Sequence, residues 1–295
     1  MKKKIIKVSL TLRDGDVSFT AQKDNRLSST GLAISTSITY GNGAISPTAQ
    51  VTVYGLPIDT MNKLFRVQWN TMNSLLNMVK IEVGDDPNNL MVAYEGNITF
   101  ATVNMDGAPN AALVITSQMA VVEKMKYTDP FTIPKGESAD VADIIAFLCR
   151  DMGFEFENNE VSHILTDTTL NGSNMEKIEK LAQMCNFDLY VEQRSITICK
   201  KGVARPLKIP VISPSTGLIG YPSPDQRGIT LNCAYDPIVR FGGIIRVSSS
   251  LIAVANADWR IYGLVSTLEA NIPQGKWQMA VNATWRDSKD AAVQR

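Results

Sequence analysis

Apolar residues at every second position recur along this chain, and they confine much of it to sheets. Ile6, Val8, Leu10 and Leu12 alternate with polar residues, Asp14-Gly15 supplies a two-residue turn whose twist suits a hairpin, and Val17 and Phe19 begin the return. The same pattern places strands at 32–40, 49–54, 79–83, 94–103 and 111–118, separated by Gly41-Asn42-Gly43, Asp85-Asp86-Pro87 and Asp106-Gly107. This spacing predicts a small antiparallel barrel or sandwich. Between two of the strands, 57–78 carries apolar residues at 61, 64, 65, 69, 72, 75 and 76, one face of a helix expected to cap an open end of the barrel.

From about Asp129 the period changes. Ser138 is a predicted N-cap, Val141, Ile144, Ile145, Leu148 and Met152 form one apolar stripe, and Gly153 stands where a left-handed stop ends a helix. Ser173 and Glu176 have capping-box spacing before a second stripe of Met175, Ile178, Leu181 and Cys185, which Asn186 terminates. Each helix leads to a strand, 154–157 and then 189–192, the latter paired with 195–199 across Gln193-Arg194.

After the breaks at Pro206 and Pro210 the chain returns to strands at 229–235, 244–250, 259–269 and 277–285. Trp277, Met279, Val281, Ala283 and Trp285 share one face of the last, where the tryptophans are expected to be core. The predicted fold is mainly β with an α/β middle: a first β-barrel domain over 1–128 with its helical insertion at 57–78, a helix-strand-helix-strand domain over 129–205, and a second β-barrel domain over 206–295. In the third, a glycine- and proline-rich loop at 217–228 runs directly into the strand that alternates Ile229, Leu231, Cys233 and Tyr235.

The search for chemistry returns little. Lysine plus arginine total 29 and aspartate plus glutamate 29, so no global field draws in nucleic acid or an anionic membrane, and Lys2 to Lys4 and Lys200-Lys201 lack the interleaved aromatics of a nucleic-acid surface. No apolar run approaches the roughly 20 residues of a membrane helix, and Lys7, Ser9, Thr11 and Arg13 interrupt the apolar stretch behind the basic start, so no export signal is expected. Cys149, Cys185, Cys199 and Cys233 form no CxxC pair and read as small buried hydrophobes of a chain made in a reducing compartment. His163 is the one histidine and reads as a surface group beside a strand. Asp85-Asp86 and Asp14 with Asp16 read as turn chemistry. With no phosphate loop, dinucleotide fingerprint or nucleophile elbow, the chain is expected to be no enzyme and to use no cofactor or metal.

Ordered along this layout, 215–222 (STGLIGYP), Gly228-Ile229-Thr230-Leu231, Asp236-Pro237-Ile238-Val239 and Gly242-Gly243 resemble the C-terminal progression of the central baseplate hub proteins of contractile phage tails. Val51 to Leu56 leading into a helix, Tyr94-Glu95-Gly96-Asn97-Ile98 and the 138–153 helix extend the likeness over about 50–285, and the stretch from Leu231 to Pro237 departs from the family pattern. The resemblance implies two tube-like barrels flanking the middle domain. Three subunits would form a pseudo-sixfold ring that adapts a hexameric tail tube to a trimeric spike and lets DNA pass.

It also implies the partners: further copies of the chain as a homotrimer, a trimeric spike, a tail tube or tube-initiator protein, baseplate wedge proteins and a tape-measure protein. Genomic DNA would transit without specific binding and no part would insert in a membrane. The location would be the tail of a virion made in the host bacterial cytoplasm. Tyr221, Pro222, Pro224, Asp225, Gln226 and Arg227 are the candidate assembly residues, because a proline-stiffened loop loses little further entropy on docking. Alternatives are the hub of a phage-derived bacteriocin particle or a cell-wall-binding or cell-wall-cleaving tail protein. The second is disfavoured by an expectation that no cleaving domain fits after the last strand.

Overall fold

The computed structural model describes residues 4–12, 26–29, 31–41, 44–62, 76–106 and 111–286. The chain forms two compact units, the first comprising Met1–Thr39, Pro47–Val121 and Val265–Met279, the second Tyr40–Ser46, Val122–Leu264 and Ala280–Arg295. The fold class is mainly β, as the alternation predicts.

The first unit is built on β1 (Ile5–Thr11), β2 (Arg26–Ser29), β3 (Ile34–Gly41), β4 (Ala44–Tyr54), β5 (Met78–Gly84), β6 (Met91–Asn104) and β7 (Ala112–Gln118), in the order β3-β4-β7-β6-β5-β1-β2. β1 runs antiparallel to β5 with Val8 opposite Ile81 and Leu10 opposite Val79. These side chains share the inner face with Ile6 and Val83, and all are buried. Burying each such aliphatic group stabilises by about 1.5–3 kcal/mol. On the outer face Lys7 and Lys80 flank Glu82 at 3.1 and 3.3 Å, exposed pairs of small net effect. The predicted Asp14-Gly15 hairpin, with Val17 and Phe19, lies outside the described residues. So do Asn42-Gly43, Gly107 and most of the predicted 57–78 helix, of which 58–62 is described and helical.

The α/β region contains α1 (Val121–Met125), β8 (Tyr127–Thr132), β9 (Ser138–Asp140), α2 (Val141–Met152), β10 (Glu155–Asn159), β11 (Ile164–Thr166), β12 (Thr169–Ser173), α3 (Asn174–Met184), β13 (Phe187–Glu192) and β14 (Ser195–Lys200). The N-cap of α2 is Asp140, whose carboxylate accepts from the Ala142 N–H at 2.8 Å. Ser138 is not the cap. It pairs with Thr166 in the β9–β11 ladder, which keeps the chain extended for two more residues.

Gly153 closes α2 at φ 70, the left-handed stop the sequence predicts. On α3, Ser173 Oγ accepts from the Glu176 N–H at 3.2 Å while the Glu176 carboxylate accepts from the Ser173 N–H at 2.9 Å, completing the predicted capping box. Ser173→Ala is expected to lower stability by about 1 kcal/mol. The measurement is a urea midpoint that falls with unchanged slope; an unmoved midpoint would show that the box contributes nothing.

β10, β14 and β13 form one three-stranded sheet, β14 lying parallel to β10 and antiparallel to β13 across Gln193-Arg194. Alternate residues of β13 point at groups far along the chain. Asp188 accepts from Arg260 at 3.3 Å and pairs with Lys201 at 2.8 Å. The Tyr190 ring meets Phe241 edge-on at 5.2 Å with the Arg205 guanidinium 5.5 Å from its centre. Glu192 accepts from Arg205 at 2.8 Å and from Arg240.

The remaining strands are β15 (Val211–Ile212), β16 (Leu218–Pro224), β17 (Ile229–Ala234), β18 (Ile244–Val247), β19 (Asp258–Ala270) and β20 (Trp277–Trp285). They are ordered β16-β17-β20-β19, with β18 antiparallel to β19 and β15 parallel to β18. Met279, Val281 and Ala283 are buried on one face of β20, as the alternation predicts, but Trp285 is 53% exposed and is not core. It lies at the end of its strand, where its ring meets that of Trp259 edge-on with the centroids 4.7 Å apart.

Candidate assembly surface

The stretch from 217 to 228, expected to be a loop, is for most of its length the edge strand β16, folded back on β17. Its alternation is hidden because Ile219 pairs with Asn232 and Ser223 with Thr230, so four steps along β16 match two along β17. The surplus residues bulge, and Gly220 at φ 70 adopts the left-handed conformation the bend needs. The hairpin then closes through Asp225, whose carboxylate accepts from the Arg227 and Gly228 N–H groups at 2.7 and 2.9 Å while its own N–H donates to the Gly228 carbonyl at 2.9 Å.

This geometry separates the six candidate residues. Tyr221 is 66% exposed, and Pro224, Asp225, Gln226 and Arg227 are exposed on the same hairpin. Pro222 is buried. The Asp225 carboxylate is engaged in the turn, and the Arg227 side chain hydrogen-bonds Tyr262, a phenol whose pKa burial pushes up. Tyr221, Pro224 and Gln226 remain as outward projections. Pro222 and Pro224 have no N–H to give a neighbouring strand, and the bulge bends the edge, so β16 is protected against strand addition.

A second exposed segment adjoins it, one the sequence reading did not single out. The 3-10 turn Ala253–Ala255 lies alongside β16 and is tied down by Trp259, whose Nε1 donates to the Ala255 carbonyl at 2.8 Å. Leu251 and Val254 project beside it at 80% and 64% exposure. A signal was present in the sequence: 247–257 contains no charged residue, nor does 209–224.

Burial pushes the thiols of Cys149 and Cys233 up to about 12 and that of Cys199 to about 11, so all three stay protonated. His163 is exposed, and its backbone carbonyl accepts from Val141. Among the described residues no three His, Cys, Asp or Glu side chains are grouped to hold a metal ion, and no helix is long and apolar enough to cross a membrane.

The family model for the baseplate hub gp41 matches residues 5–271. The chain belongs to the baseplate hub gp41 family. It is thereby a structural protein of the phage tail, a virion component, as the resemblance in sequence implies. No protein of curated function matches the chain.

Among solved structures, the tail protein from Neisseria meningitidis MC58 superposes with a TM-score of 0.60 at 8% identity, covering 97% of this chain and 99% of that one. The 43 kDa tail protein of prophage MuSo2 from Shewanella oneidensis gives 0.61 at 9% identity, covering 97% of each chain. The E. coli c3393 protein, a type VI secretion component described as similar to T4 tail proteins gp27 and gp5, gives 0.55 at 10% identity, covering 87% of this chain and 76% of that one. At such identities the baseplate hub shares a fold with these proteins.

Proposed function

We propose that this baseplate hub assembles as a trimeric, pseudo-sixfold ring that adapts a hexameric tail tube to a trimeric cell-puncturing spike. The family match over 5–271 carries the reading. Its division into tube-like barrels at 1–128 and 206–295 about a middle domain at 129–205 belongs to the same proposal, two similar barrels from each of three chains giving six positions around an axis. The exposed hairpin from Tyr221 to Arg227 contributes to assembly. Wedge and tape-measure proteins contact the outside and the lumen, and DNA passes without being held. A balanced total of charges favours that passage, because a dense basic lining would bind duplex by counterion release.

A second reading, the hub of a contractile particle that carries no genome, draws on the likeness to the c3393 protein and to a chain of a Francisella PdpA-VgrG complex, which superposes with a TM-score of 0.53 over 96% of this chain and 58% of that one. Light scattering over a range of concentrations tests the ring. A species three times the 32.3 kDa chain is expected, and a strict monomer with or without a spike protein would overturn it.

A further inference from the structure

Between β8 and β12 the ladder slips where Asn171 stands. Leu170 pairs with Phe131 and Gly172 with Thr128, so two steps along β12 match three along β8 and Asn171 is passed over in the pairing. Opposite it lie Asp129 and Pro130, and a proline has no N–H to offer. Two lysines of α3 take up carbonyls at the slip. Lys177 Nζ donates to the Asp129 carbonyl, and Lys180 Nζ donates to the Asn171 carbonyl at 2.6 Å. Asn171 and Lys180 are exposed, whereas Gly172 is buried.

Position 172 admits no other residue without strain. Its φ is 115, and a Cβ there would stand 2.3 Å from Glu176 Oε2, the oxygen that accepts from the Ser173 N–H and completes the cap of α3. The fold therefore sets an exposed asparagine directly before an obligatory glycine. In such a dipeptide no side chain on the following residue hinders attack of its nitrogen on the asparagine amide. Lys180 adds a second factor. A cation bonded to a peptide carbonyl draws electrons from that peptide and makes its N–H more acidic, and the peptide that begins at the Asn171 carbonyl ends at the Gly172 nitrogen. Loss of that proton, which ring closure requires, is thereby eased.

We propose that Asn171 is a site of spontaneous modification, cyclising onto the Gly172 nitrogen with the help of Lys180 and reopening to aspartate and isoaspartate. The Gly172 nitrogen gives its proton to hydroxide and attacks Asn171 Cγ; a C–N bond forms, the Cγ–Nδ2 bond breaks, and Nδ2 leaves as ammonia with a proton returned by water. Water then adds to either carbonyl of the succinimide and opens the ring, with nothing oxidised or reduced. Opening at Cγ leaves an ordinary aspartate. Opening at the main-chain carbonyl routes the backbone through the former side chain and lengthens it by a methylene just before the α3 cap. Either product sets a new carboxylate near Lys180. The inference is independent of the ring reading.

The sequence holds two Asn-Gly dipeptides, 42–43 and 171–172, so Asn42 serves as a reference in the same molecule. Full-length wild type, Lys180→Met and Lys180→Arg are aged at mildly alkaline pH and digested with pepsin in acid. Mass spectrometry follows the change from amide to carboxyl in the peptides spanning each dipeptide, and labelling by an isoaspartyl methyltransferase reports the lengthened product. Wild type is expected to convert at Asn171 with isoaspartate among the products. Lys180→Met is expected to slow that conversion roughly threefold or more while conversion at Asn42 keeps its rate, and Lys180→Arg, which retains the cation, to restore it. Lys180 is exposed, so the circular dichroism of both variants is expected to match wild type. An Asn171 that stays an amide throughout would overturn the site. Conversion in Lys180→Met at the wild-type rate or faster would overturn the part given to the lysine, and with it the proposal as stated.

Discussion

Glu192→Ala is expected to destabilise the second unit by about 3–5 kcal/mol, because it leaves a buried arginine without its counter-charge. The Arg205 side chain is 3% exposed, and its carboxylate partner is Glu192. What would remain are bonds to the Phe241 carbonyl and Thr197 Oγ1, both at 3.2 Å, while Arg205 Nε is already buried without a hydrogen-bond partner. Arg240, on the other side of Glu192, is 42% exposed and can turn to water, so Arg240→Ala is expected to remove only about 1 kcal/mol.

The same carboxyl gives a pH signature. Burial pushes the Glu192 pKa up, but hydrogen bonding from Arg240 and the charges of Arg205 and Arg240 outweigh burial and hold it below the ordinary 4.5. A group whose folded pKa is depressed stabilises in full above its unfolded value, and that contribution disappears as pH falls through the folded one. The stability gap between wild type and Glu192→Gln is therefore expected to be full at neutral pH and to close in acid, at and below about pH 4.5. Urea titrations of both proteins across that range measure it; a gap that stays constant into acid would show that the carboxylate charge is not what secures Arg205.

This cluster shows where sequence reading stops. Glu192 reaches Arg205 across 13 residues and Arg240 across 48, and no local pattern marks three such residues as partners. What was legible is what acts over a few residues: the Ser173–Glu176 box, the Gly153 stop, the Gln193-Arg194 hairpin and the inward face of β20. The short strands β8, β9, β11 and β12 escaped notice because each is only three to six residues long and, β12 apart, none fully buries a side chain. At the candidate assembly residues, composition marked out a distinctive segment but gave it the wrong conformation. Glycines and prolines at 217–228 read as loop, whereas the bulge lets those residues sit in an edge strand. Trp285 failed for a related reason: its position in the alternation is correct, but the sheet ends before anything covers its outer side.

The largest single-residue effect is expected at Gly228, which joins the Asp225 turn to β17. A Cβ placed there would stand 2.1 Å from the Ala283 carbonyl oxygen and 2.7 Å from Thr284 Cα, at φ 149. Both atoms are backbone of β20, whose Ala283 and Thr284 are buried and whose Asn282 accepts from Thr230 on β17 at 3.0 Å. Neither strand can retreat without breaking the pairing that holds the hairpin, so Gly228→Ala is expected to reduce stability by about 4 kcal/mol or more. Gly220 is the internal control. It too has positive φ, 70, but a Cβ there meets nothing within 4 Å, so Gly220→Ala is expected to lose only about 1–2 kcal/mol to backbone strain. Urea midpoints of the two variants separate crowding from strain. If they coincide, close packing of β17 on β20 does not set the hairpin's position; if they differ as expected, the exposed edge that carries Tyr221 is held by the absence of one methyl group.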